Sequence, residues 1–175
     1  MLQGILQFHQ HSPPWAHRDI KPANVLLGPG DLPVLMDFGS TAIARKKINT
    51  RQEALLLQED AAQNCSMPYR APELFDVPSS CDIDERTDVW SLGCTLYALL
   101  FGYSPFECEF DAAGRARVVE CSALRVLNPP PWPPAASRAP HAVALIKACL
   151  MQQAAERPFV ADVVARVDTA VESAV

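Results

Sequence analysis

The spacing of apolar residues along the chain predicts five helices. In each stretch apolar side chains recur at intervals of three or four residues, which places them on one face of a helix. The stretches are 2–10, 51–63, 89–101, 141–151 and 158–172. The first is little more than two turns long, and Pro13 and Pro14 follow it and stop it.

The stretch from Val89 to Phe101 is apolar on nearly every face, and Gly102 follows it. A helix with this pattern is typically buried on all sides, so we predict the central helix of the core here. Glycine is also the residue type that most often ends a helix. A membrane-spanning helix is not predicted, because the run is too short and contains Ser91 and Thr95.

The helix at 51–63 is preceded by a capping-box pattern, with Thr50 as the cap and Glu53 three residues later. Two interpretations stay open for it. It is either a capped surface helix without a special role, or part of a functional segment. Farther along, Pro72 begins a short helix in its first turn.

The segment after the central helix is less regular. Within residues 111–127 we predict a helix, of which 115–124 is the better part. Residues 128–134 then form a polyproline-like crossing segment. This segment is either a loop inside the domain or a ligand for a proline-binding module.

Two short apolar runs, Val25–Leu27 and Val34–Met36, are separated by a stretch rich in glycine and proline. This pattern predicts a small β-hairpin with a loop longer than a two-residue turn. Such a hairpin fixes Asn24 at its beginning and Asp37 at its end.

Composition indicates one globular domain. The chain has 175 residues, of which 49% are hydrophobic and 20% charged, and this balance is typical of a folded domain. The formal net charge of −5 argues against a general nucleic-acid surface. Six cysteines occur without a C-x-x-C pair, so we expect apolar fillers in a reducing compartment and no zinc site. Without a signal peptide or a transmembrane run, a soluble intracellular chain is predicted.

The candidate chemistry lies between His17 and Gly39. Asp19 is followed five residues later by Asn24 and eighteen residues later by Asp37, which begins an Asp-Phe-Gly triplet. Two acids and an amide in this arrangement suit the binding of metal and phosphate beside a hydroxyl that loses its proton. An Ala-Pro-Glu triplet at 71–73 closes the segment.

These motifs, in this order and spacing, resemble the C-terminal lobe of eukaryotic protein kinases over nearly the whole chain. Within that superfamily the chain most resembles the Numb-associated kinase group, and in that group the myristoylated and palmitoylated serine/threonine kinases. The stretches that carry this resemblance are 33–40, 65–75 and 83–94. The resemblance implies a mainly α fold, in which a small β-hairpin carries the metal-binding residues and the N-terminal lobe is absent.

The resemblance also implies the site. Residues 1–175 form the lobe, with a catalytic loop at 17–24 and an activation segment at 37–73. Asp19 is the expected catalytic base. Other catalytic and cofactor-binding residues are Lys21 at the γ-phosphate of ATP, Asn24 and Asp37 on Mg²⁺ or Mn²⁺, and Ser66, whose hydroxyl is expected to hydrogen-bond to Asp19 and Lys21.

Further residues are implied as structural supports, and they are His17, Arg18, Phe38, Gly39, Glu73, Asp88 and Arg157. Glu73 and Arg157 resemble a buried ion pair. Asp88 resembles a residue that accepts backbone hydrogen bonds from the catalytic loop. Arg18 is expected to meet a phosphate on the activation segment, if one is added.

Two functions from different classes remain. The motifs favour a serine/threonine kinase that transfers phosphate from ATP to a protein substrate, monomeric when complete. A kinase's Gly-rich loop, strand lysine and helix glutamate have no counterpart here, so we expect this chain to be inactive by itself. The alternative is a non-catalytic, kinase-like binding or regulatory fragment. A cytoplasmic location is expected, and peripheral membrane association of a Golgi-like kind is implied only through the resemblance.

Overall fold

The computed structural model describes residues 1–172 and is about half helical. Its six α-helices are α1 (Leu2–Gln10), α2 (Arg51–Asn64), α3 (Arg86–Phe101), α4 (Ala123–Val126), α5 (Pro140–Cys149) and α6 (Val160–Glu172). All five helices predicted from apolar spacing are present, with ends shifted by at most a few residues. The helix predicted to start at Pro72 is a single 3₁₀ turn, Pro72–Leu74.

The strands form four separate antiparallel pairs. They are β1 (Trp15–Ala16) with β4 (Ala42–Ile43), β2 (Val25–Leu27) with β3 (Pro33–Leu35), β5 (Lys46–Ile48) with β6 (Cys81–Ile83), and β7 (Cys108–Phe110) with β8 (Ala116–Val118). Only the β2–β3 hairpin was expected. The other strands are two or three residues long, too short to show an alternating pattern in the sequence.

Helix α3 is the centre of the core, as its apolar pattern predicts. Trp90, Cys94 and Tyr97 belong to one buried cluster, and Val89 and Leu92 belong to a second. The helix therefore separates and supports both clusters. Its last turn differs from the prediction, because Leu99 and Leu100 are 66% and 43% exposed.

Helices α3 and α5 cross very closely at Gly93. A Cβ atom at this position would lie 2.8 Å from Cβ of Cys149. Glycine is therefore required by the approach of α5, although it lowers helix propensity. The cysteines act as apolar fillers here, since all six thiols are unpaired and Cys94 and Cys149 are fully buried.

The helix predicted over 115–124 is wrong. Gly114 takes a positive φ of 75° and its N–H donates to the carbonyl of Asp111, which makes a turn between β7 and β8. The Asp111 carboxylate accepts the N–H of Arg115 as well. This turn signal overrides the helical spacing, and only the one-turn helix α4 forms.

The proline-rich segment 128–134 lies inside the domain. The hydroxyl of Tyr97 donates to the carbonyl of Pro131 over 2.6 Å, and the ring of Trp132 packs edge-on against Tyr97 and Phe101. These contacts favour the internal-loop interpretation. No helix within residues 1–172 is long and apolar enough to cross a membrane.

Glu73 and Arg157 form a two-pronged ion pair in the interior. The guanidinium nitrogens of Arg157 donate to the two Glu73 carboxylate oxygens over 2.7 and 2.8 Å, and the Arg157 side chain is fully buried. The pair ties the Pro72–Leu74 turn to the segment before α6. Because the arginine is desolvated, its stability depends on that counter-charge.

We predict that Glu73→Gln destabilises the fold by about 3–5 kcal/mol, because it leaves the buried guanidinium without a counter-charge. Chemical denaturation followed by tryptophan fluorescence measures this. Asp76→Asn is the control, since that carboxylate is 90% exposed and lies 3.9 Å from Arg51; it should change stability by less than about 0.5 kcal/mol. Equal effects of the two substitutions would contradict the prediction.

Candidate active site

A buried carboxylate on α3 fixes the loop at 17–19. The side chain of Asp88 is fully buried, and its two oxygens accept the main-chain N–H groups of His17 (2.7 Å) and Arg18 (2.8 Å). Nε2 of His9, at the end of α1, donates to the same carboxylate over 3.0 Å. The loop is thus attached to the central helix and to α1.

Arg18 adopts a left-handed conformation, with φ of 73°. A side chain other than glycine is strained there, by about 1–2 kcal/mol. The two hydrogen bonds from consecutive amides to one charged carboxylate offset this strain. The resulting sharp turn directs Asp19 away from α3 and toward the 65–70 segment.

His17 connects the loop to the Asp-Phe-Gly triplet. Its Nε2 donates to the carbonyl of Met36 over 3.1 Å, and its Nδ1 accepts the N–H of Asp19 over 3.3 Å. Both ring nitrogens are occupied and the side chain is fully buried. His17 is therefore a packed support residue and not an acid or base.

Both oxygens of the Asp19 carboxylate are hydrogen-bonded. Oδ2 accepts Nδ2 of Asn24 (3.0 Å) and lies 2.7 Å from Nζ of Lys21, while Oδ1 accepts the main-chain N–H of Ser66 (3.0 Å). Nζ of Lys21 also donates to the Ser66 hydroxyl over 2.7 Å. The four residues predicted as catalytic therefore lie in one connected network, and the main chain of Ser66 takes part in it.

The network keeps Asp19 ionised. Burial by itself would raise the pKa of this carboxyl, but the hydrogen bonds from Lys21 and Ser66 outweigh it, and the pKa lies below its ordinary value of 3.8. Asp19 is thus a charged acceptor at neutral pH, with only 8% of its surface exposed.

The β2–β3 hairpin places Asn24 and Asp37 at one end. Val25 pairs with Leu35, and the N–H of Met36 donates to the carbonyl of Asn24 over 2.9 Å. Asp37 follows directly, in a left-handed conformation (φ 62°), and its carboxylate accepts the N–H of Gly39. Hairpin register therefore brings together two residues that lie thirteen positions apart in the chain.

Phe38 is held from below by two rings. It stacks on Phe8 with ring centres 5.3 Å apart, and it meets the edge of His17 at 5.6 Å. Its upper side remains open, so that 52% of the residue is exposed. The Asp-Phe-Gly segment is thus supported by α1 and the catalytic loop.

Asn24 and Asp37 offer a donor set that suits Mg²⁺. The Asn24 amide nitrogen makes both of that side chain's hydrogen bonds, to the carbonyl and carboxylate of Asp19, and no described residue donates to its oxygen. Asp37 is exposed. Mg²⁺ accepts one or two such oxygens and completes its shell with water and phosphate. Within residues 1–172 no cluster of three or more His, Cys, Asp or Glu could hold a metal by protein ligands alone.

Comparison with known families decides the relationship. The family described as the protein kinase domain matches residues 1–167. The chain belongs to the protein kinase family. The resemblance inferred from the three motifs is thereby confirmed.

Named relatives of this kinase domain are serine/threonine kinases. Serine/threonine-protein kinase 16 of Mus musculus is 55% identical over 101 residues, which cover 58% of this chain and 33% of the relative. Serine/threonine-protein kinase ppk13 of Schizosaccharomyces pombe is 35% identical over 158 residues, covering 88% and 44%. Actin-regulating kinase PRK1 of Saccharomyces cerevisiae is 32% identical over 166 residues, covering 95% and 19%. The kinase domain described here thus spans less than half of each relative, and the match to kinase 16 agrees with the resemblance to the myristoylated kinases.

The activation segment of this kinase domain is attached to the catalytic loop by Arg18. Its guanidinium lies 2.6 Å from the carboxylate of Asp60 on α2, and the Arg18 side chain is 9% exposed. Partial burial alone would raise the pKa of Asp60, but its contacts with Arg18 and Asn64 hold it below 3.8. The arginine that was expected to meet a phosphate is therefore already paired with a carboxylate.

Two residues of the site were missed by sequence reasoning. His9 was expected to face solvent or to pack at a helix end, and it is buried against Asp88. Asp60 was read only as part of a capped helix, although the capping box itself is present as predicted. The available signal for Asp60 was the polar, poorly amphipathic character of α2, which indicates that its polar face meets something other than water.

We predict that Asp60→Asn loosens α2 from the catalytic loop by about 1 kcal/mol, because it removes the charge that faces Arg18. Faster amide hydrogen exchange across residues 51–64 measures this. Glu59→Gln, the adjacent exposed acid on the same helix, is the matched control and should leave exchange unchanged.

The effect should depend on pH. The folded-state pKa of Asp60 is lowered, so the contact stabilises the protein above pH 3.8 and is lost as pH falls through the lowered value. The stability difference between the wild type and Asp60→Asn should therefore shrink in acid. A difference that stays constant would contradict the assignment.

Proposed function

We propose that this chain is the C-terminal lobe of a serine/threonine protein kinase domain and carries the proton-accepting and metal-binding half of its active site. The observation that carries this proposal is the network in which Asp19, Lys21, Asn24 and Ser66 are directly connected. The catalytic loop corresponds to 17–24 and the activation segment to 37–73.

In the proposed reaction Asp19 orients the hydroxyl of a serine or threonine in a protein substrate. The hydroxyl oxygen forms a bond to the γ-phosphorus of ATP as the bond from that phosphorus to the bridging oxygen breaks and ADP leaves. The hydroxyl proton passes to the Asp19 carboxylate. A loose transition state requires little proton removal before the phosphorus moves, so a weakly basic, ionised carboxylate suffices.

Lys21 supplies positive charge beside this carboxylate. Its ammonium lies between Asp19 and the Ser66 hydroxyl, 2.7 Å from each, and its side chain is 24% exposed. A cation in this position can also reach a phosphoryl group and offset its charge during transfer. Ser66 fixes the ammonium, which supports its assignment to the site.

Asn24 and Asp37 are proposed to bind Mg²⁺, with Mn²⁺ as the substitute. When bound, the metal neutralises charge on the phosphates of ATP. The chain's own part is to aim the two oxygen donors from one end of the β2–β3 hairpin.

A second surface is proposed to cover the nucleotide. No Gly-rich loop or strand lysine lies in this sequence. Beside the metal-binding end, the hairpin and its surroundings expose large apolar side chains, and these are Leu26, Leu27, Leu32, Val34 and Phe38. Such a patch is typical of a surface that another part of a protein covers.

We predict that the 175-residue chain alone transfers little phosphate, and that a chimera with the N-terminal part of serine/threonine-protein kinase 16 transfers it readily from ATP with Mg²⁺ to a serine peptide. In the chimera Asp19→Asn should lower kcat about 100- to 10,000-fold, because the proton acceptor and hydroxyl-orienting charge are removed. Radiolabelled phosphate incorporation measures both.

The matched control is Asp31→Asn, an exposed acid in the hairpin loop whose left-handed φ of 58° asparagine also accepts. It should leave kcat unchanged. A folded chimera that binds ATP yet transfers no phosphate, or one in which Asp19→Asn is harmless, would overturn the proposal in favour of a non-catalytic binding module.

A further inference from the structure

A small cavity opens beside the catalytic loop. It has a volume of about 390 Å³, and its walls include Pro22, Tyr69, Leu99, Tyr103, Glu107 and Val118. Of the side chains that line it, only Glu107 carries a charge. The proposed mechanism uses none of these side chains.

The cavity shares its walls with the catalytic network. Pro22 directly follows Lys21, and Tyr69 ends the 3₁₀ turn that begins after Ser66. The hydroxyl of Ser104 donates to the carbonyl of Pro68, which ties the loop after α3 to this turn. A peptide whose hydroxyl reaches Asp19 therefore passes the mouth of the cavity.

Glu107 is held in place by its main chain, while its carboxylate has no partner. Its N–H donates to the carbonyl of Ser104 and its carbonyl accepts the N–H of Val119. Within residues 1–172, no side chain or amide forms a hydrogen bond or an ion pair with its carboxylate. The nearby arginines are used elsewhere, since Arg117 and Arg125 both pair with Glu109.

Burial raises the pKa of Glu107, and no neighbouring cation opposes this. A partly desolvated carboxylate without a counter-charge is costly to a fold. Glu109, on the next residue, shows that this surface can supply arginines to an acid. Glu107 is instead left available to a group that comes from outside.

We propose that Glu107 is a specificity residue that binds an arginine side chain of the substrate, close in sequence to the accepting serine or threonine. This inference rests on the proposed function, of which it names the substrate class.

The remaining walls suit arginine. Leu99 and Val118 are 66% and 70% exposed at the cavity, and they can cover the aliphatic stem of a long side chain. Tyr69 and Tyr103 present aromatic rings, on which a guanidinium stacks favourably. A carboxylate behind two rings and an apolar rim is thus complementary to arginine in charge and in shape, whereas an acidic side chain would be repelled.

The test measures peptide binding by fluorescence anisotropy with the 175-residue chain. Labelled serine peptides carry one arginine, or neutral citrulline of the same shape, at each position around the serine in turn. At one position arginine should bind about tenfold more tightly than citrulline, as expected for one charge-assisted hydrogen-bonded contact. Glu107→Gln should abolish this preference, and Glu107→Arg should favour a glutamate peptide instead.

The matched control is Glu120→Gln, which removes the same charge from an exposed residue outside the cavity and should leave the preference intact. Thermal unfolding of each variant verifies its folding. A preference that persists in Glu107→Gln, or the absence of an arginine preference at every position, would overturn the inference.

The readout does not depend on catalysis. The Asp19→Asn chain should keep the arginine preference, so a failure of phosphate transfer in the chimera would count against the proposed function alone. Conversely, phosphate transfer that is indifferent to arginine and to Glu107 would leave the proposed function intact and refute the specificity role.

Discussion

The active-site loop depends on the desolvated carboxylate of Asp88, which has no alternative partner in water. It accepts the amides of His17 and Arg18 and the ring of His9, so it joins α3, the loop and α1. Burying an ion without such donors costs several kcal/mol, and the strained turn at Arg18 is what presents both amides to it. The cost of the buried charge and the strain of the loop are therefore offset by the same hydrogen bonds. Neither feature would persist alone.

The same logic explains why Asp19 is a suitable base although its pKa is lowered. Its oxygens are already hydrogen-bonded by Lys21, Asn24 and Ser66, so the carboxylate is fixed in direction before any substrate arrives. Basicity is reduced by these contacts. Because phosphoryl transfer through a loose transition state needs orientation more than strong proton removal, the arrangement favours the property that matters more.

Much of this organisation could be predicted from the sequence, because helices and motifs are local. The apolar face of α3, the capping box at Thr50 and the spacing from Asp19 to Asp37 are each read within a few turns of chain. What failed was non-local or decided by turns. The β7–β8 hairpin replaced a predicted helix because of the Asp111–Gly114 turn. The ion pair of Arg18 with Asp60 joins elements more than forty residues apart, and no pattern in either one names the other.

Three acids around the catalytic loop differ mainly in what satisfies their charge. The carboxylate of Asp88 is satisfied by backbone amides, which fixes it permanently. Asp60 is satisfied by the guanidinium of Arg18, a contact that acid can break. Glu107 has no partner among the described residues, although it is partly desolvated. An unpaired charge is maintained at a cost to stability, and such a cost is typical of a site shaped for a ligand. The cavity beside Lys21 is where that ligand would meet the catalytic network.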